Sequence, residues 1–204
     1  MNPLNTIMGT IVAGLVIALV AIFATTGNHI VGAMPVNSII IWAHVFAGIV
    51  WIGLLYYFNF VQVPSLADAA ADEGGPGGAG ITKYVAPRAL LWFRWGAVFT
   101  WLTGAAFLLH RGQLLEAFTL GLRTDPINPY GMTIGIGAWF GTVMLFNVWV
   151  LIWPNQKKVL GMVEASAEEI AKAKRTAFLA SRTNTMLSIP LLMSMVGAGH
   201  GFFM

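Results

Sequence analysis

Four histidines stand in a chain of 204 residues that is 57% hydrophobic and only 9% charged, and an imidazole in apolar surroundings needs a partner. His44 lies in the apolar run Asn37 to Val61, about seven residues and so ~10 Å from its start. His200 sits in the last run, from about Thr183 to Phe203, ~25 Å from its cytoplasmic end. His110 ends the run Leu90 to His110, and His29 falls between the first two runs. An opposed His pair at similar depth on two helices is how bundles hold a b-type haem. His44 and His200 are therefore candidate ligands of a haem iron. Gly48, one turn from His44, leaves room for a macrocycle or for a close neighbour. Each assignment has an alternative: a structural hydrogen bond for His44, a frayed glycine-rich end around Gly197, Gly199 and Gly201 for His200. His110 is a further cofactor candidate, or an interfacial side chain meeting water, and His29 is read as a loop residue.

A second set of polar groups lies deeper on the other side. Arg94 follows Arg88 by six residues and so begins within the apolar run. It either snorkels to the surface or recognises an anionic group there, with Asn147 as a second substrate-binding candidate. Asn59, Gln62 and Asn147 are otherwise expected to hydrogen-bond between helices. Arg94 and His110 are ~24 Å apart along one helix, so the arginine cannot serve the histidine level. The absence of cysteine removes disulfides, iron–sulfur clusters, covalently attached haem and thiolate copper. No phosphate-binding glycine loop and no HExxH occurs, and the eight acidic residues are all expected in loops, which leaves no intramembrane carboxylate for a proton-coupled pump.

The elements that must position these groups are apolar helices. Mean hydropathy is +0.75, and five runs (7–26, 37–61, 90–110, 130–153 and 183–203) are each long enough to cross ~30 Å of hydrocarbon. The expected fold is an all-α integral membrane protein, a single five-helix bundle. Nine Lys and Arg (Lys83, Arg88, Arg94, Lys157, Lys158, Lys172, Lys174, Arg175, Arg182) fall on one side, against Arg111 and Arg123 on the other. That bias predicts a cytoplasmic N-terminus, a periplasmic C-terminus and a bacterial inner-membrane location, with the histidines in the outer half. The net charge of +3 is explained by topology, so no nucleic-acid partner is expected. Met1 to Thr6 carries no basic residue, which argues against a cleaved signal peptide. Trp92, Trp95, Trp153, Trp42 and Tyr130 sit near run ends as interfacial anchors.

Composition predicts a flexible cytoplasmic linker over 67–80 and a short surface helix over about 167–180, introduced by Ser166 and Glu169 in capping-box spacing. The pairs Gly131/Gly135 and Gly137/Gly141, and the triplet Gly96/Thr100/Gly104, are expected to let helix backbones approach. Pro190 should free the carbonyl of Met186, with Thr185 or Ser188 available to help.

Four blocks carry a resemblance: Trp42–Gln62 (WAHVFAGIVWIGLLYYFNFVQ), Lys83–Gly104 (KYVAPRALLWFRWGAVFTWLTG), Gly141–Val159 (GTVMLFNVWVLIWPNQKKV) and Ser181–His200 (SRTNTMLSIPLLMSMVGAGH). Together they resemble the membrane domain of PuuD-type urate hydroxylases across four of the five helices. The resemblance implies oxidation of urate to 5-hydroxyisourate with electrons passed to cytochrome c. It matches His44 to the histidine of the HVFAGIVWIG block and His200 to the histidine closing the last block, Arg94 to a basic position, and Asn147, Asn155 and Gln156 to the NVW/WPNQ block. The His-plus-WIG arrangement is also similar to small haem-binding bundles of the CopD and protoporphyrinogen-oxidase type, which implies haem b. With no CxxCH present, a cytochrome c partner is expected to be a separate periplasmic polypeptide. The competing expectation is a non-catalytic accessory subunit of a larger respiratory or photosynthetic complex.

Overall fold

The structure, a computed structural model, describes residues 2–26 and 35–201, and all regular structure among them is helical. The chain divides into two compact units, Met1–Ile39 and Ile40–Met204. In the first, the Asn2 side chain caps a 3-10 turn (Pro3–Asn5) by accepting the Leu4 N–H. Thr6 then accepts the Gly9 N–H at 3.0 Å, and helix α1 (Ile7–Thr26) follows. α1 is apolar on every side and none of its described side chains is buried, the pattern of a helix whose solvent is lipid. His29 lies outside the described residues.

The second unit is built on helices interrupted by wide turns. Helix α2 (Val36–Tyr56), which begins in the first unit, runs through a π-turn, π1 (Tyr57–Gln62), into α3 (Val63–Ala71). After a loop, π2 (Ile81–Val85) leads into α4 (Ala86–His110), and a short helix α5 (Leu114–Phe118) follows. Then α6 (Pro129–Phe146), π3 (Asn147–Ile152) and α7 (Trp153–Val159) form one continuous rod, the third after α1 and the second rod α2–π1–α3, and α8 (Ala167–His200) completes the fold. Each π-turn ends two residues before a proline, with Val63 standing before Pro64, Ala86 before Pro87 and Trp153 before Pro154. A proline inside a helix donates no N–H and crowds the carbonyl four residues back. Widening the preceding turn relieves this, and the last N–H before each proline bonds the carbonyl five residues back: Val63 to Phe58, Ala86 to Ile81, Trp153 to Val148.

Several boundaries differ from those read in composition. α3 carries the second rod to Ala71, four residues past the start of the expected linker, because Ala-rich sequence is a good helix former whatever its complexity. It also puts Asp68 on a helix, beyond the apolar run. The expected surface helix and last span are one 34-residue helix, α8. Its start is fixed as predicted: Ser166 accepts the Glu169 N–H, and the Glu169 carboxylate accepts the Ser166 N–H at 2.8 Å. Among the described residues three segments, Ile7–Thr25, Val36–Ala71 and Pro129–Val159, are long and apolar enough to cross a membrane. α4 and α8 are less apolar, because α4 carries Arg94 and α8 carries Asn184, Ser188 and Ser194 in its apolar half.

The core joins Trp51, Leu55 and Phe58 of the second rod, Leu90, Phe93 and Ala97 of α4, Met144, Val148 and Ile152 of the third, and Ala180 and Leu191 of α8. Glycines set the close approaches. A Cβ on Gly96 would lie 3.2 Å from the Trp51 backbone nitrogen, and one on Gly137 would lie 2.8 Å from Ser194 Oγ. Gly131 and Gly135 serve the loop helix α5 instead of a neighbouring span, since a Cβ on Gly135 would meet the Ala117 carbonyl oxygen at 2.1 Å. Around Pro190, Ser188 donates to the carbonyl of Thr185 at 2.7 Å, one residue short of the freed Met186 carbonyl.

Two consequences are measurable. Gly135→Ala should lower the unfolding midpoint in detergent, because rigid backbone stands in its way, whereas Gly53→Ala meets nothing within 4 Å and should be neutral or slightly stabilising. The Glu169 carboxyl is held below its usual 4.5 chiefly by the backbone N–H of Ser166, then by Lys158 at 3.5 Å. A depressed folded value means this contribution is present above the ordinary carboxylate range and lost as pH falls through the folded value. Amide protection in the first turn of α8, taken relative to the intrinsic exchange rate at each pH, should therefore fall on acidification below about pH 4.5, and Glu169→Gln should remove that dependence.

Candidate functional site

One polar level centres on His44, on α2 against α4. Its Nδ1 lies 2.8 Å from the carbonyl oxygen of Thr100, which can only accept, so Nδ1 carries the proton and Nε2 keeps its lone pair. Thr103 Oγ1 is 3.4 Å from the same nitrogen, but its own proton goes to the Phe99 carbonyl at 2.6 Å. The ring is seated by a missing side chain: a Cβ on Gly104 would stand 2.9 Å from His44 Cε1. Gly48 has Thr100 Cγ2 as its neighbour at 3.8 Å, so a facing helix occupies the space there. Such a backbone bond at Nδ1 is the arrangement that orients an imidazole for ligation through Nε2.

The other histidines stand apart. His200, the last residue of α8, is exposed and bonds through Nδ1 to the Val196 carbonyl of its own helix at 2.9 Å. It shares no contact with His44 among the described residues. His110 is exposed at the end of α4. Among the described residues no three His, Cys, Asp or Glu gather as a metal site.

A second level is a seam of amides and hydroxyls along α8. Asn59 in π1 donates to Ser181 Oγ at 2.8 Å and to the Leu55 carbonyl of its own rod at 2.8 Å. Asn147, the first residue of π3, donates to Asn184 Oδ1 at 2.8 Å, and Asn184 donates to the Met144 carbonyl at 3.0 Å. One turn further, Ser188 gives its proton to Thr185, so Tyr56 donates to Ser188 across 2.9 Å. Towards the C-terminal end of α8, Ser194 donates to the Thr133 carbonyl and accepts the Gly137 N–H at 2.9 Å. Ser181, Asn184 and Ser188 lie three and four residues apart, hence on one face of α8, and Ser194 follows six residues later, about a third of a turn around the helix.

Arg94 does more than snorkel. Its guanidinium carbon lies 3.6 Å from the centroid of the Trp153 ring, which pins α4 to α7, while its Nε is buried without a partner. Gln62 at the end of π1 likewise has a buried, unpartnered Oε1. Two grooves open nearby. One, of about 340 Å³, is lined by Asn147, Leu151, Thr176, Leu179, Ala180 and Thr183. The other, of about 520 Å³, is apolar and lined mainly by Trp95, Trp101, Trp149 and Phe146, with Trp101 donating to Thr142 at 2.9 Å.

Of the residues singled out in the sequence, Asn59 and Asn147 do bridge helices. The partners Ser181, Asn184, Ser188 and Ser194 were not singled out for this. A signal for them exists: Gly53–Asn59 (GLLYYFN) and Gly141–Asn147 (GTVMLFN) repeat a G-x4-F-N pattern, each running into a π-turn and a proline. Both asparagines reach α8, at positions three residues apart.

Residues 123–204, from the end of the α5 loop through α6, α7 and α8, match the urate oxidase N-terminal family, the membrane family that the four blocks resemble. No curated protein and no solved structure matches the chain.

Asn184 is 0% exposed and serves two partners. Asn184→Ala should destabilise by about 1–3 kcal/mol, since it strands the Asn147 amide and the Met144 carbonyl. Denaturant titration in mixed micelles checks this.

Proposed function

We propose that the chain is an integral membrane redox module of the urate hydroxylase type, with five spans, a cytoplasmic N-terminus and a periplasmic C-terminus in a bacterial inner membrane. The family match over α6 to α8 supports the urate-related membrane assignment. The positive charges on one set of loops support the orientation.

The single observation that carries the redox reading is the His44 imidazole, with its tautomer set by the Thr100 carbonyl and its ring seated on Gly104. His44 would be one residue to hold a haem b near the periplasmic face, and the exposed His200, or His110, would be the other candidate. The haem would supply one-electron transfer. The residues of this chain would hold it, set its distance from the outer surface and keep the inner half dry. Electrons would leave to a periplasmic cytochrome c, since none of these 204 residues is a cysteine that could attach a c-type haem. In the enzymatic form of the reading, urate is oxidised to 5-hydroxyisourate. Arg94, with its guanidinium carbon 3.6 Å from the Trp153 ring centroid, and Asn147 are then the groups suited to a planar anion.

A second reading is a non-catalytic accessory subunit of a larger respiratory or photosynthetic complex. It is favoured by the lack of a contact between His200 and His44.

A pyridine-haemochrome assay on the purified full chain, after haem-replete expression, decides between them. Stoichiometric haem b is expected, lost in His44→Ala and perturbed in Gly104→Val, which crowds the imidazole. Haem-free protein, or a Soret band indifferent to His44→Ala, overturns the redox reading. Anaerobic reduction by urate, followed by reoxidation with cytochrome c, is expected of the hydroxylase; no urate-dependent reduction rejects it.

A further inference from the structure

In the first half of α8, Arg175 and Arg182 sit two turns apart with Phe178 between them. Their guanidinium carbons lie 6.0 and 5.2 Å from the centroid of that one ring. Both arginines are exposed, and the ion pair found among the described residues, Lys158 with Glu169 at 3.5 Å, involves neither. A guanidinium beside an aromatic ring keeps N–H donors in a fixed fork, which suits phosphate oxygens.

The arginines border a groove of mixed character. The groove, of about 340 Å³ between π3 and α8, is lined by Thr176, Thr183, Leu151 and Leu179, and Leu179, four residues after Arg175 and three before Arg182, lies beside both arginines on the helix surface. Arg182 is also the last charged residue before the apolar half of α8. Two cations without carboxylate partners, two hydroxyls and an apolar wall complement an amphiphile with an anionic head.

We propose that this groove and its arginine pair bind an anionic phospholipid, with the phosphate at Arg175 and Arg182 and an acyl chain along Leu151 and Leu179. The proposal rests on the five-span reading, which puts this part of α8 at the cytoplasmic headgroup level. A free phosphate would use the arginines but gain nothing from the leucines, so the lipid is the occupant that the whole groove fits.

The test uses the full chain in nanodiscs of phosphatidylcholine and phosphatidylglycerol in equal amounts, with retained lipid counted by native mass spectrometry. Wild type should retain phosphatidylglycerol preferentially, and R175Q/R182Q should lose that preference by about five-fold for each arginine removed. R175K/R182K, which keeps the charge without the fork, guards against a folding defect and should lose part of it. Undiminished preference in R175Q/R182Q overturns the proposal. So does an equal loss in K83Q/K174Q, which removes the same charge elsewhere. Displacement of the lipid by millimolar inorganic phosphate also overturns it, in favour of a free-anion site. The orientation is tested separately in the cysteine-free chain: an impermeant maleimide applied to intact cells should label Thr124→Cys and spare Glu164→Cys. The reverse labelling rejects the five-span orientation while leaving the lipid count to be read on its own.

Discussion

The amide of Asn184 holds the π-turn half of the second unit in register. A polar side chain with no water near it must be paired within the protein, and Asn184 meets that demand by accepting from Asn147 and donating to Met144. Because hydrogen bonds are directional and dispersion contacts are not, this pair fixes the rotation and height of α8 against the third rod in a way that Leu191 and Met144 could not. Asn59, reaching Ser181 one turn away, does the same from the second rod. Two rods made locally alike thus grip successive turns of one helix.

The other half is assembled on the opposite principle. Gly96, Gly104 and Gly137 contribute by lacking side chains, so that Trp51, His44 and Ser194 can come in close. His44 is placed by both kinds of contact, a glycine that makes room and a backbone carbonyl that orients the ring. The polar groups of the protein are therefore divided by level. Those of the seam along α8 pair with each other and stabilise the fold, whereas the imidazole of His44 retains a nitrogen to spend on a ligand.

Much of this was legible in the residues. Apolar length gave the helices, Ser166 and Glu169 gave the start of α8, and Gly104 was already marked as a close-approach position. His44 was found because an imidazole inside an apolar run is rare. The limits were also physical. Hydropathy averages over a window, so it located α8 without showing that Ser181, Asn184 and Ser188 share a face. The helical reach of Ala67–Ala71 was hidden because alanine and glycine together look like a linker. Arg94 looked free to snorkel because nothing local indicates that Trp153, 59 residues later, would lie beneath it.

The π-turns carry a consequence for how such a helix can be read or altered. A π-turn is in effect an α-helix with one extra residue absorbed, and at about 100° per residue it rotates everything after it by more than a quarter of a circle. The two halves of each rod are therefore out of phase. The face that Trp51 and Leu55 present to α4 sets no obligation on Val63 and beyond, just as Gly137 and Gly141 facing α8 set none on Trp153 meeting Arg94. Each rod can be fitted to one neighbour before its π-turn and to a different one after it, with the proline marking where the phase is reset.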